Sequence, residues 1–512
     1  MNTRRPKIEF GDFQTPLPLA ESVCALLKDA GYCPSVLIEP TCGEGSFLEA
    51  GIRAFGADTA YFGLDINSDY VVRATRRLQD CHPHVTAKIC HQDFFTFDWK
   101  AFLSDKEAPL LLGNLPWVTN AVQGILGSEN LPEKTNLKRL SGLDAMTGKS
   151  NFDISEWMLL KLIESAEKHP FTIAMLCKTA VARKILEYCW KKGSIPIEGS
   201  LYGINALEWF GASVSACLFV ARFNLSATTE KTAPFYETLS SQSPAMRVGF
   251  VDGEMVSNVD AYQQVKHLQG VNYYRWRSGI KHDLAKVMEL DIIGEKFVNG
   301  FGAEVDVEEE NLYPLLKSSD IAKGVTTPSR YALVTQKSVG EDTRALQGAS
   351  PKTWKYLKRY DNLFSARKSS IYQKHSPYSL FGVGAYTFAP FKVAISGLYK
   401  QMRFTLVPPY RGKPVLMDDT CYFIGCDNLL EAETLHELFS ADITYHFLRS
   451  VVFTDSKRPI TADILNRLDI HKIAEQFGAA ERLSSFLKTG TMETNGQGVM
   501  VFEKRSEYFP SA

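Results

Sequence analysis

A chain of 512 residues with 45% hydrophobic and 22% charged side chains is too long for one core and has the make-up of an ordinary globular protein of about two to four domains. Its formal charge of −1 excludes a globally basic nucleic-acid coat, so any nucleic-acid contact has to come from local patches. No run approaches the roughly eighteen apolar residues of a membrane span, Met1–Phe10 lacks the apolar core of a leader, and the ten cysteines form no C-x-x-C pair or zinc-spaced cluster, which points to a cytoplasmic protein without metal or membrane.

The first part alternates two periodicities. Ser35–Glu39 is a short apolar run, followed by a Gly-rich turn and a helical stretch from Ser46 to about Phe55. Ala60–Leu64 reads as a second strand, Asp69–Leu78 as a helix, Val85–Cys90 as a third strand and Pro109–Gly113 as a fourth. Ile154–Glu167 is helical, Phe171–Cys177 a fifth strand, Val181–Trp190 a helix, and Val214–Arg222 a last strand. This rhythm predicts a doubly wound, mostly parallel sheet. Leu225–Pro244, rich in Ser, Thr and Pro, reads as a linker, and Thr489–Gly498 as a loose tail.

In open α/β sheets ligands bind beyond the carboxyl ends of the strands, and the first four strands all end in useful chemistry. Strand one runs into Glu39-Pro-Thr41-Cys-Gly43-Glu-Gly45, where the glycines allow close backbone approach and the acid can take an ammonium group. Strand two ends at Asp65, placed to accept ribose hydroxyls. Strand three leads to Asp93-Phe94, an acid for an amino group and a ring to lie on a base. Taken singly, each acid is more often a surface carboxylate and the Gly-rich turn a tight turn; together they point to a nucleoside cofactor. Strand four ends in Asn114-Leu115-Pro116-Trp117. The amide oxygen and the next carbonyl can accept both protons of a ring-conjugated amino group, which frees its lone pair for attack, and Trp117 offers a stacking face.

These motifs resemble the gamma group of amino-methylating DNA methyltransferases, whose tetrapeptide is Asn-Pro-Pro-Tyr/Phe/Trp. Phe13-Gln14-Thr15-Pro16 matches that family's leading element, with Thr15 on the cofactor, and Trp209-Phe210 its aromatic before the last strand, with Phe210 facing the base. Leu115 departs from the family in replacing its first proline, which leaves the carbonyl but loosens the backbone. The resemblance implies a seven-stranded methyltransferase domain over residues 1–230 and an α+β target-recognition domain over 231–512. It implies S-adenosylmethionine as cofactor, a flipped adenine in double-stranded DNA as substrate, and a cognate restriction endonuclease or defence subunit as partner. The cofactor residues are then Thr15, Glu39, Thr41, Gly43, Gly45, Asp65, Asp93, Phe94 and Asn114, and the catalytic ones Asn114, Leu115, Pro116, Trp117 and Phe210. Amino methylation of RNA or protein, and a non-catalytic DNA-binding subunit, are the alternatives.

Two stretches remain. The polar run between Trp117 and Phe152 is either a lid or a plain insertion. Beyond the linker, Tyr273–His282 and Trp354–Lys374 interleave bases with aromatics, a pattern that suits phosphate and base contacts and equally a solvated face. Phe381–Phe404 reads as twisted antiparallel strands, Glu431–Ser450 and Ile473–Leu487 as helices, and Asp418–Tyr422 as structural rather than metal-binding.

Overall fold

The computed structural model describes residues 13–118, 153–166, 169–224, 230–487, 491–494 and 500–503. The chain divides into two compact units, Met1–Asp260 and Ala261–Ala512.

In the first unit the alternating pattern becomes α1 (Leu17–Asp29), β1 (Val36–Glu39), α2 (Ser46–Phe55), β2 (Ala60–Asp65), α3 (Ser68–Cys81), β3 (Ala87–His91), α4 (Trp99–Leu103) and β4 (Leu110–Asn114), then α5 (Ile154–Ser165), β5 (Phe171–Lys178), α6 (Thr179–Lys192), β6 (Ile197–Ile204), α7 (Ala206–Phe210) and β7 (Ala216–Phe223). The strands lie in the order β3-β2-β1-β4-β5-β7-β6. β1 to β5 pair in parallel where they touch, and β7 runs antiparallel to both β5 and β6. Side chains alternate across the pleat, and both faces of the sheet are covered. Ile38, Leu111, Ile173 and Met175 pack with α4, α5 and α6 on one face. Leu37, Leu110, Leu112, Ala174 and Leu176 pack with α1, α2 and α3 on the other. Burial on both sides is why these strands read as unbroken apolar runs.

The sheet continues past residue 230. β8 (Thr232–Tyr236), β9 (Met246–Val251) and β10 (Glu254–Val256) extend it to ten strands, β8 pairing in parallel with β6. The stretch read as a linker therefore holds strand, so far as it lies within the described residues. Its Pro234 and the Ser/Thr-rich neighbours imitate a loop, because proline within a run normally argues against a strand. β6 was likewise not foreseen: its two glycines break the apolar run. Gly199 and Gly203 are small because Leu186 and the Glu237 carbonyl occupy the space of a Cβ.

Among the described residues the second unit holds two larger sheets and a two-stranded antiparallel pair, Thr491–Thr494 with Met500–Glu503. One larger sheet has the order β11-β20-β17-β18, from β11 (Arg277–Ser278), β17 (Phe391–Ser396), β18 (Phe404–Val407) and β20 (Cys421–Cys426). The other, β14-β13-β12-β16-β15-β19, joins β12 (Glu289–Ile293), β13 (Lys296–Asn299), β14 (Glu304–Val305), β15 (Leu312–Leu316), β16 (Arg330–Leu333) and β19 (Leu416–Met417). All pairs are antiparallel except β15 with β19. Expected strands at Phe381–Phe404 hold for β17, with β18 beginning at Phe404, while Ala385–Phe388 is a 3-10 turn. The single helix expected over Glu431–Ser450 is two, Leu429–Phe439 and Asp442–Val451.

Candidate active site

Because β1 to β4 run parallel, the residues that end them share one edge of the sheet. Glu39 at the end of β1 is 3% exposed, and its Oε2 has no hydrogen-bond partner. Burial raises its carboxyl well above the usual carboxylate range; the Leu48 backbone N–H works against this and the nearby Asp65 charge adds to it. A buried acid without a counter-charge is costly to a folded protein, and such an orphan marks a place for a cationic group. Asp65, ending β2, accepts from the Gly43 N–H at 2.8 Å and the Asn67 N–H at 2.8 Å. Each carboxylate oxygen can accept a second bond, so the residue can hold the loop and a diol together.

Gly43 has φ +49° and Gly45 φ +81°, the left-handed region that favours glycine. A Cβ on Gly43 would lie 2.4 Å from the Gln14 Oε1. That side chain accepts from the Glu44 N–H at 3.0 Å, so Gln14 covers the glycine turn; the next residue, Thr15, is buried. Asp93 is half-buried, and its Oδ1 accepts from the Phe95 N–H. Phe94 does not offer an open ring face: it is 4% exposed and packed against Phe95 and Trp99, at 5.3 and 5.1 Å between centroids. An apolar residue missed in the sequence sits at the same edge. Ile66, directly after Asp65, is 44% exposed, and only its position at a strand end could have signalled it.

Asn114, ending β4, donates from Nδ2 to the Phe13 carbonyl at 3.0 Å. This fixes the amide orientation and leaves Oδ1 buried without a partner. Thr41 Oγ1 donates to the Asn114 carbonyl at 3.3 Å, which ties the two loops together. Leu115 is 1% exposed within the core; a packed side chain thus anchors the backbone where the tetrapeptide it resembles has a proline ring. Trp117, after Pro116, is 6% exposed and donates from Nε1 to the Leu176 carbonyl. Downstream, the Ile154 N–H bonds the Val118 carbonyl, and Asp153 caps α5 and pairs with Lys178 at the end of β5. The rest of the polar run between Trp117 and Phe152 lies outside the described residues.

Three rings close over this loop. Trp117 lies 5.0 Å from Phe210 and 5.7 Å from Phe13, and Phe13 lies 6.0 Å from Phe210. Phe13 was not among the expected site residues, although it begins the matched leading element.

In the second unit four aromatics of the basic-aromatic runs, Tyr274, Trp276, Tyr356 and Tyr372, are buried in the core, while Tyr273, Trp354 and Tyr360 are half-buried. Arg367 stacks on Tyr372 at 3.6 Å and donates to the Ser379 and Pro377 carbonyls. The interleaving is largely the alternation of a half-buried surface. Lys355, Arg359, Lys368 and Lys374 are exposed and carry no ion pair among the described residues. Asp418 Oδ1 accepts from the Thr420 N–H and hydroxyl, and no group of His, Cys, Asp or Glu among the described residues could hold a metal ion. Nor is any helix among them long and apolar enough to cross a membrane.

A doubly wound sheet with a reversed seventh strand, an orphaned acid ending its first strand and an oriented amide ending its fourth are the marks of a methyltransferase. No family model matches the chain. It is 42% identical over 478 residues, 93% of this chain and 99% of the other, to the type II methyltransferase M.NspV of Nostoc sp. (strain ATCC 29411 / PCC 7524). The chain belongs to that family of type II methyltransferases. Among solved structures, the type IIL restriction-modification enzyme MmeI in complex with DNA is 14% identical with a TM-score of 0.52 over 88% of this chain. This chain spans 64% of the length of that enzyme, and the likeness shows the fold. The type I restriction-modification system methyltransferase subunit from Streptococcus thermophilus is 15% identical over 44% of this chain and 48% of its own, with a TM-score of 0.31.

Proposed function

We propose that this methyltransferase modifies the exocyclic N6 of an adenine flipped out of double-stranded DNA, as the modification enzyme of a restriction-modification or phage-defence system. The observation that carries the reading is the Asn114 amide, locked by the Phe13 carbonyl with Oδ1 buried and unpartnered beside Trp117. S-adenosylmethionine supplies the methyl group as a sulfonium. Glu39 takes its ammonium, Asp65 its ribose hydroxyls, and Asp93 with Ile66 its adenine. Asn114 Oδ1 and the Leu115 carbonyl accept hydrogen bonds from the two N–H groups of the target amino group and hold its nitrogen toward the donor, so that the rate comes from positioning and fixed dipoles. The target is an amino group on a flat ring, because Trp117, Phe210 and Phe13 offer stacking faces next to the acceptor. The Asn114-x-Pro116-Trp117 frame, similar to the adenine-methylating tetrapeptide, favours adenine. The second unit reads the DNA site, with Lys355, Arg359, Lys368 and Lys374 as phosphate contacts, and a cognate endonuclease cleaves the unmodified site.

The test is single-molecule sequencing of plasmid DNA from a methylation-free host that expresses the chain, beside an Asn114→Ala control. N6-methyladenine in one sequence context, absent from the control, is the expected result. N4-methylcytosine in its place would overturn the adenine assignment, and unmodified DNA would overturn the reading of DNA as the substrate of the chain acting alone.

A further inference from the structure

Between the glycine turn and the aromatic rings lies one short segment that touches both. Phe13 contributes a ring to the cluster with Trp117 and Phe210, and its carbonyl holds the Asn114 amide at 3.0 Å. The next residue, Gln14, places its amide where a Cβ of Gly43 would be and accepts the Glu44 N–H at 3.0 Å. Two consecutive residues therefore bind the methyl-donor loop with a side chain and the acceptor loop with a carbonyl and a ring. One planar peptide unit joins the two contacts, so few soft dihedrals lie between them.

We infer that Gln14 is a positioning residue that couples the cofactor loop to the target-base cage. A ligand that settles the turn at Gly43–Glu44 sets the Gln14 side chain, and through it the Phe13 ring and carbonyl. The cage and the Asn114 amide are then biased before any base arrives. The coupling is reciprocal, because a base that displaces Phe13 acts back on the cofactor loop by the same free energy. The inference rests on reading the Phe13, Trp117 and Phe210 cluster as the base side of the site, but needs neither adenine nor methyl transfer.

The experiment reads Trp117 directly, in the full-length protein without DNA. The chain is labelled with 5-fluorotryptophan, its Trp117 resonance assigned by Trp117→Phe, and S-adenosylhomocysteine added to saturation. In the wild-type protein the Trp117 fluorine signal moves on saturation. In Gln14→Ala, S-adenosylhomocysteine binds about two- to twelve-fold more weakly, as the loss of one neutral hydrogen bond implies, and at saturation the Trp117 shift is lost. Gln14→Glu keeps an acceptor oxygen for the Glu44 N–H and restores the shift. A wild-type Trp117 signal that ignores the ligand would overturn the coupling. So would a full shift in saturated Gln14→Ala, which would leave Gln14 a local support of the turn. Thermal melting of both variants without ligand guards against loss of the fold. Because no DNA is present, failure here leaves the plasmid result standing, and failure there leaves this one.

Discussion

Replacing Glu39 by Gln separates what the folded protein needs from what its ligand needs. The substitution keeps the shape of a side chain 3% exposed, removes the charge, and puts a neutral amide in place of a carboxylate whose Oε2 has no partner. Leaving a buried polar group unpaired costs about 1–3 kcal/mol and more for a charge; the amide is also unpaired, so Glu39→Gln should stabilise the ligand-free protein by the excess cost of the charge alone, on the order of 1–3 kcal/mol. For a unit of this size that is a rise in melting temperature of roughly 2–10 °C. The carboxylate's hydrogen bond to an ammonium is worth about 1.5–3 kcal/mol, so affinity for S-adenosylhomocysteine should fall about ten- to 150-fold. The pH dependence has a definite sign. Burial raises the Glu39 carboxyl above its ordinary value, so the folded state binds the proton more tightly than the unfolded chain. The destabilisation from Glu39 is therefore present at neutral pH and is relieved as pH falls through the raised value toward the ordinary carboxylate range. Melting curves with and without ligand, taken from pH 8 down to pH 5, should show the two proteins converging as Glu39 protonates. A variant less stable than wild type at neutral pH, or one that binds the ligand as well, would refute the assignment of Glu39 as an acid held in readiness for a cation.

Other perturbations test the remaining parts. Asn114→Ala should lower kcat by about a hundred- to a thousand-fold, the usual cost of one preorganised polar group at a reacting centre, with little change in S-adenosylhomocysteine affinity by calorimetry. Gly43→Ala should cost about 1–2 kcal/mol for its φ of +49° and, through the overlap with Gln14, weaken the cofactor in the same titration. Phe210→Ala should raise the KM for DNA about five- to 150-fold, since stacking on an aromatic contributes about 1–3 kcal/mol per base, while the KM for cofactor holds. Lys178→Met leaves the Asp153 cap of α5 without its partner and should destabilise the protein by about 3 kcal/mol, read by chemical denaturation.

Much of the first unit was legible because its strands are buried on both faces, so they appear as apolar runs with helical stretches between them. The carboxyl ends of those runs were then predictable in register, which is why Glu39, Asp65 and Asn114 meet at one edge. What escaped follows from weak local signals. β6 carries glycines that make room for Leu186 and the Glu237 carbonyl, and β8 carries a proline. Phe94 looks like a ligand-facing ring by sequence, yet its direction is set by packing on Trp99. In the second unit a Tyr or Trp next to Lys or Arg cannot reveal whether the ring faces core or ligand, and Tyr274, Trp276 and Tyr356 face the core. The role of Phe13 depends on a contact 101 residues away in sequence and that of Gln14 on one 30 residues away, which periodicity does not carry.

If the three rings receive a flipped base, as proposed above, their spacing sets a condition on its entry. A base stacked between two facing rings needs about 7 Å between their planes, two contacts of about 3.5 Å each. Trp117 and Phe210 stand 5.0 Å apart between centroids and at 71° to each other, with Phe13 closing a third side. The cage is therefore shut, and a flipped base has to part rings that now pack on one another. Phe210 is the ring best placed to move: it ends a five-residue helix, is half-buried, and precedes Gly211 at φ +65°. Trp117 is held by its bond to the Leu176 carbonyl and by the buried Leu115 two residues before it. Leu115, which stands where the resembled tetrapeptide has a proline, thus supports a fixed face, and opening falls to the side of the cage made by Phe210 and Phe13. Base flipping already costs a few kcal/mol of lost stacking in the duplex, and the shut cage adds the separation of its own rings to that cost. Parting those rings uncovers the same aromatic faces that the incoming base then covers, so a base with a full aromatic face recovers the cost where a smaller amide would not.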